Sequence, residues 1–169
     1  MAYHIEVAHT RHRFLSSRDK RKVIVNRIES GLLNLWIIED SEEQPYKYIR
    51  SFQDKGLALV SPNKHGGQIE LLSLNALRNT DSAKWKIIPV QQIHGMNYPG
   101  SIEHDNCVFV ISKLVPPKSS VRLRHVQHEI GAQKEITHNN TRVILWNHQG
   151  VNVEEPRNQM WIMHKQPRN

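Results

Sequence analysis

Eleven histidines in a chain of 169 residues are the first place to look for chemistry, because imidazole ligates zinc and titrates near neutral pH. They gather as His9 with His12 and His125 with His128, and His138 follows. A zinc site needs three or four ligands converging on one point, with second partners to orient them. Strand and loop spacing does not force His9 and His12 to one point, and no carboxylate partner stands beside them. They read as surface imidazoles, and no metal is expected. A pH-sensing role is the other reading, since positive charge would grow below about pH 6.5. Cys107 heads an apolar run and reads as a small buried hydrophobe. Being the only cysteine, it cannot close an internal disulfide, which fits a reducing compartment or a chain that dispenses with bridges. Gly-x-Ser-x-Gly, His-Glu-x-x-His, a phosphate-binding glycine loop and paired carboxylates are all missing from the sequence. A protein without enzymatic activity or cofactor is therefore expected.

Charge is the second chemical signal. Lys and Arg number 23 against 16 Asp and Glu, a formal +7. The densest run holds Arg11, Arg13, Arg18, Lys20, Arg21 and Lys22, with Asp19 the only acid inside it; a second group is Arg122, Arg124, His125 and His128. Such a balance suits an anionic polysaccharide, a lipid surface or an acidic protein. Nucleic acid is not expected, because neither a basic helix nor a strand with interleaved aromatics is present. No run approaches the roughly 20 apolar residues that cross a bilayer, so membrane insertion is not expected. Glu6 and two histidines interrupt the first ten residues where a signal peptide needs an unbroken apolar stretch. The expectation is a leaderless, cytoplasmic protein.

These groups must be positioned by strands. Apolar residues come in runs of four to eight, rich in Val, Ile, Leu and aromatics and separated by turn-formers, with no long helical spacing. Twelve strands are predicted, at 4–9, 13–17, 22–28, 34–39, 46–51, 57–61, 68–74, 84–90, 107–113, 121–127, 141–147 and 159–165. They fall into three units of four, spanning 3–40, 46–90 and 107–165 within one domain over 1–169. Each unit closes on a tryptophan followed by apolar alternation, at Trp36, Trp85 and Trp161. Each ring is expected to fill the central layer of the core, burying about 150–250 Å². The third unit departs from the pattern through a longer stretch, 128–140, in which 133–136 reads equally as a strand or as one helical turn.

On these residues the chain resembles the β-trefoil fold, a six-stranded barrel capped by three hairpins, over nearly its whole length. Asn158-Gln159-Met160-Trp161 is similar to the Gln-x-Trp signature of ricin-B-type lectins, and Lys55-Gly56-Leu57-Ala58-Leu59 sits where that family reads Gly-x-x-Leu-Asp-Val. That resemblance implies a sugar site built from a carboxylate, an aromatic platform and an Asn or Gln. The carboxylate position falls at Ala58 in the second unit, Ser16 in the first and near Leu123 in the third. A lectin, or a binder of anionic polysaccharide or membrane surface through the basic patch, is therefore the alternative reading.

The chain also resembles fungal β-trefoil protease inhibitors of the macrocypin and clitocypin type. The similarity runs through Tyr3-His4-Ile5, Leu15-Ser16-Ser17-Arg18-Asp19-Lys20 before Val23-Ile24-Val25, Trp36-Ile37-Ile38, Tyr48-Ile49, Trp85-Lys86-Ile87 and Trp161-Ile162-Met163. It implies that a papain-type cleft is blocked by two loops of the first unit. These are His9, Thr10, Arg11 and His12, and Glu29, Ser30, Gly31 and Leu32, with Gly31 letting backbone approach a thiolate closely. A serine protease would instead take an exposed cation at a hairpin tip, Arg18, Lys20 or Lys55, and an asparagine-specific protease would take Asn79. The leading expectation is a monomeric, reversible protease inhibitor, favouring papain-type cysteine proteases. Its partner is a protease or, on the alternative reading, a glycan.

Overall fold

Alternation of apolar and polar residues over short runs favours strands that bury one face. The computed structural model describes residues 2–8, 12–28, 32–62, 64, 66–77, 80–89, 107–114, 121–125, 140–147 and 159–167, with 121–125, 146 and 147 described by backbone alone. The strands are β1 (Ala2–Val7), β2 (Phe14–Ser16), β3 (Ile24–Asn26), β4 (Leu35–Asp40), β5 (Lys47–Ser51) and β6 (Leu57–Val60). They continue as β7 (Glu70–Ser73), β8 (Trp85–Pro89), β9 (Cys107–Ser112), β10 (Val121–His125), β11 (Thr141–Asn147) and β12 (Met160–Lys165). Every predicted segment holds a strand, though several are shorter than the apolar run that announced them. The run 68–74 ends as a strand at Ser73, and Leu74 opens a helical turn, α1 (Leu74–Leu77). Its side chain packs with Tyr48, Ala58 and Ala83 in a small core of its own, which takes it off the strand path. The long stretch of the third unit, 128–139 with 133–136 inside it, lies outside the described residues.

Six strands close a barrel in the order β1, β4, β5, β8, β9, β12 and back to β1, all neighbours antiparallel. Closure leaves no barrel edge to be protected. The register repeats three times. Trp36 faces Tyr3 and Ser51, Trp85 faces Lys47 and Ser112, and Trp161 faces Val108 and Val7. All three indoles are fully buried in one cluster with Ile5, Ile49 and Val110. Trp36 Nε1 donates to the Leu15 carbonyl and Trp85 Nε1 to the Leu59 carbonyl, both at 3.0 Å. The second strand of each of these units is thereby tied to the last, and Leu15 and Leu59 are equivalent.

The other strands make the cap, in hairpins β2–β3, β6–β7 and β10–β11. These meet in a cycle of main-chain hydrogen bonds. The Val23 N–H donates to Ile69 O at 2.9 Å, Ile69 N–H to Val143 O at 2.8 Å, and Val143 N–H to Val23 O at 3.1 Å. All three residues are fully buried, so each donor and acceptor must find its partner inside the protein. Beside the cycle, Gly66 N–H donates to Leu145 O and Leu145 N–H to Gly67 O. A Cβ at Gly67 would lie 2.8 Å from the Pro62 ring, so only glycine lets this backbone come so close.

A charged network joins the second and third units on the outside. Lys84, only 4% exposed, meets Glu42 at 2.9 Å and Glu43 at 3.3 Å. Lys113 bridges Glu43 and Asp81, and the Tyr48 hydroxyl donates to Glu42 at 2.7 Å. The Tyr48 hydroxyl and the Lys84 ammonium hold the Glu42 carboxyl down at about 2.

Replacing Trp36 with Ala should cost about 3–5 kcal/mol, as for other buried aromatics, read as a lower urea midpoint. Because the Glu42 carboxyl is more acidic folded than unfolded, the unfolded chain binds the proton more readily. Its stabilisation is present above about pH 4.5 and is lost as pH falls towards 2. Melting temperature should therefore drop over that window, and E42Q should flatten the slope; an unchanged slope would remove Glu42 from the account.

Candidate functional site

Among the described residues, one cleft lies where the exit of β2 meets the β5–β6 connection. Ser17 leaves β2 with its N–H and its hydroxyl both donating to the Leu33 carbonyl, at 2.8 and 3.1 Å. Its Oγ lies 3.4 Å from that of Ser51 at the end of β5, and these hydroxyls form the floor. The facing loop is set by Asp54. Its N–H donates to Ser51 Oγ at 3.1 Å, and its Oδ1 accepts the Gly56 N–H at 3.1 Å, an Asx turn that fixes the chain with local bonds. Phe52 stands half-buried in the wall with the Lys55 ammonium 5.1 Å from its ring centre, within cation–π range. The resulting cleft, about 530 Å³, is lined among others by Ser17, Arg18, Lys20, Phe52, Asp54 and Lys55. The three cations singled out from the sequence, Arg18, Lys20 and Lys55, thus share one cleft instead of standing on separate tips. Phe52 escaped the sequence reading; its signal would have been an aromatic directly before the Asp54–Gly56 turn.

A second cleft, about 440 Å³, shares Arg18 with the first. Lys22, Gln68, Asn140 and Arg142 line it with Asp19, bringing residues of all three units together. Asp19 Oδ1 accepts the Arg21 N–H at 3.2 Å, so this loop is also locally pinned.

Of the two loops expected to meet a protease, His12 and Leu32 are described, whereas His9, Thr10, Arg11, Glu29, Ser30 and Gly31 lie outside the described residues, as does Asn79. Leu32 is 42% exposed. His12 has a left-handed backbone, φ 65°, uncommon for a residue with a side chain, and its N–H donates to Glu6 Oε2 at 2.8 Å. Glu6 is 1% exposed, and its other oxygen meets His164 Nε2 at 3.0 Å. Phe14 packs between the rings of His4 and His164. Nothing in the sequence had marked Glu6 beyond its interruption of an apolar run. Among the described residues no group of three or more His, Cys, Asp or Glu converges as a metal site would. Cys107 is buried, which pushes its thiol up to about 11.

The barrel register locates the lectin-type carboxylate position in each unit. Ala58 lies opposite Arg50, and the residues equivalent to Arg50 are Glu6 and Ile111. Their partners are Phe14 and Arg122. The first-unit position is therefore Phe14, not Ser16, whose hydroxyl instead accepts the Arg18 N–H at 3.2 Å. No unit carries an acid there. Glu6, the carboxylate across from Phe14, is already engaged by His12 and His164.

No family model matches the sequence, and no curated protein matches it. Solved structures do. A ricin B-like lectin of Macrolepiota procera in complex with lactose aligns over 98% of this chain and 96% of its own, with a TM-score of 0.63 and 14% identity. The fold is a β-trefoil. Polyporus squamosus lectin, bound to the epitope Neu5Aca2-6Galb1-4GlcNAc, aligns over 96% of this chain and 48% of its own, with a TM-score of 0.63 and 19% identity. A mosquitocidal holotoxin aligns over 98% of this chain and only 16% of its own, with a TM-score of 0.67 and 13% identity.

Glu6→Ala should leave the His12 N–H without its acceptor and cost about 1–3 kcal/mol, read by denaturant unfolding. An unchanged midpoint would mean that water replaces the carboxylate.

Proposed function

We propose that this protein is a non-enzymatic glycan-binding trefoil that takes its ligand in the Ser17–Lys55 cleft rather than at the lectin carboxylate positions. The observation that carries this reading is the end-to-end alignment with a lactose-bound lectin, covering 98% of this chain and 96% of the lectin. The cleft supplies what a polyhydroxylated ligand needs, since hydroxyls both donate and accept. Asp54 and Gln53 offer acceptors, Arg18, Lys20 and Lys55 offer donors, and Phe52 offers an apolar edge. Few convergent polar groups over an apolar wall is the usual composition of a small-ligand site. Protease inhibition, the leading expectation from sequence, draws no support from the solved structures that share this fold.

A glycan array with the folded protein tests the reading. Binding to at least one saccharide class is expected, with Gln53→Ala and Phe52→Ala each weakening it by about tenfold, the worth of one hydrogen bond or buried contact. Silence across the array, or binding that ignores both variants, would overturn it.

A further inference from the structure

Among the described residues some cations are ion-paired, and others, in the clefts and elsewhere, are not. Lys47, Arg50, Lys84 and Lys113 are each ion-paired, with Asp40, Glu39, Glu42 and Glu43 respectively. Lys20, Lys22, Lys55 and Arg142 make no ion pair with a described residue, and all four line the two clefts around Arg18. Beside these four cations and Arg18, the described lining of the clefts carries two acids, Asp19 and Asp54. Each of these already accepts a backbone N–H within its own turn. Glu70, whose backbone bridges that of Lys22, is not part of the lining. Like charges lining one cleft repel one another, so an anion between them is favourable.

Resting on the glycan-binding reading, we infer that the ligand is an acidic oligosaccharide lying across both clefts, held by Lys20 and Lys55 in the first and by Lys22 and Arg142 in the second. The volumes, about 530 and 440 Å³, fall within the usual range of ligand pockets. Gln68 and Asn140 in the second cleft and Gln53 and Asp54 in the first supply acceptors for sugar hydroxyls between the acidic groups. Acceptors for several hydroxyls beside the cations favour a carboxylated or sulfated saccharide over nucleic acid, whose backbone offers few hydroxyls to meet them. The Arg142 guanidinium can meet such a carboxylate with two parallel hydrogen bonds.

Fluorescence anisotropy with labelled hexasaccharides gives the test. The probes are a galacturonate hexamer, a neutral galactan hexamer and a single-stranded DNA hexamer. The acidic sugar should bind best, with affinity falling as salt rises. The pair Lys55→Gln with Arg142→Gln should weaken it about tenfold or more. So should Lys20→Gln with Lys22→Gln, which changes only exposed side chains and guards against misfolding of the first pair. Lys86→Gln with Lys165→Gln removes the same charge on β8 and β12, away from the clefts, and should change little. An equal loss in that control pair would overturn the inference in favour of diffuse charge attraction, and tighter binding of the DNA would overturn it in favour of nucleic acid. Preference for the neutral sugar would overturn the acidic ligand while leaving glycan binding intact. Failure of all three probes together with a silent array would remove both readings.

Discussion

Three main-chain amides, at Val23, Ile69 and Val143, hand their hydrogen bonds around a closed circuit at the centre of the cap. Each bond is worth only about 0.5–1.5 kcal/mol net, but a buried amide left alone costs about 1–3 kcal/mol. The circuit therefore acts less as glue than as a condition. Each unit satisfies the next, and no two units can satisfy themselves without the third. The indole layer beneath it supplies apolar burial without such direction. The placement of the hairpins, and with them the clefts at their margins, follows from the circuit.

Much of this body could be read from residue types. Tryptophans heading apolar alternation and β-branched runs before them marked the strands and the threefold repeat, because both patterns answer to burial. Register was harder to read. Ser16 and Phe14 lie on the same face of β2, and a slip of two residues keeps every side chain on its proper side. Only pairing with Glu6 distinguishes them. Glu6 itself looked like a solvated acid. It faces away from the barrel core, and His12 and His164 close over it. The clefts were illegible for another reason: Arg18, Lys55 and Arg142 converge only because barrel closure brings three distant connections together, and no local spacing encodes that.

The scaffold is shared with sugar-binding trefoils, yet the positions opposite Arg50, Glu6 and Ile111 hold Ala58, Phe14 and Arg122. An apolar or cationic residue there cannot accept bonds from neutral vicinal hydroxyls. The charge of the chain is arranged elsewhere with some economy. Paired cations fasten units to one another, as Lys84 and Lys113 do, and Lys20, Lys22, Lys55 and Arg142 line the clefts where loops meet. Fold and recognition are thus separable here, as they are across common architectures.

The antiparallel pairing of β1 with β12 sets Tyr3 opposite Lys165. Both ends of the described chain therefore leave the barrel side by side. A peptide joining them would need to span only a short gap, and the break could be moved to another exposed connection without disturbing a single strand pair. Order along the chain is in this sense incidental to the architecture, which is fixed by who neighbours whom around the circle.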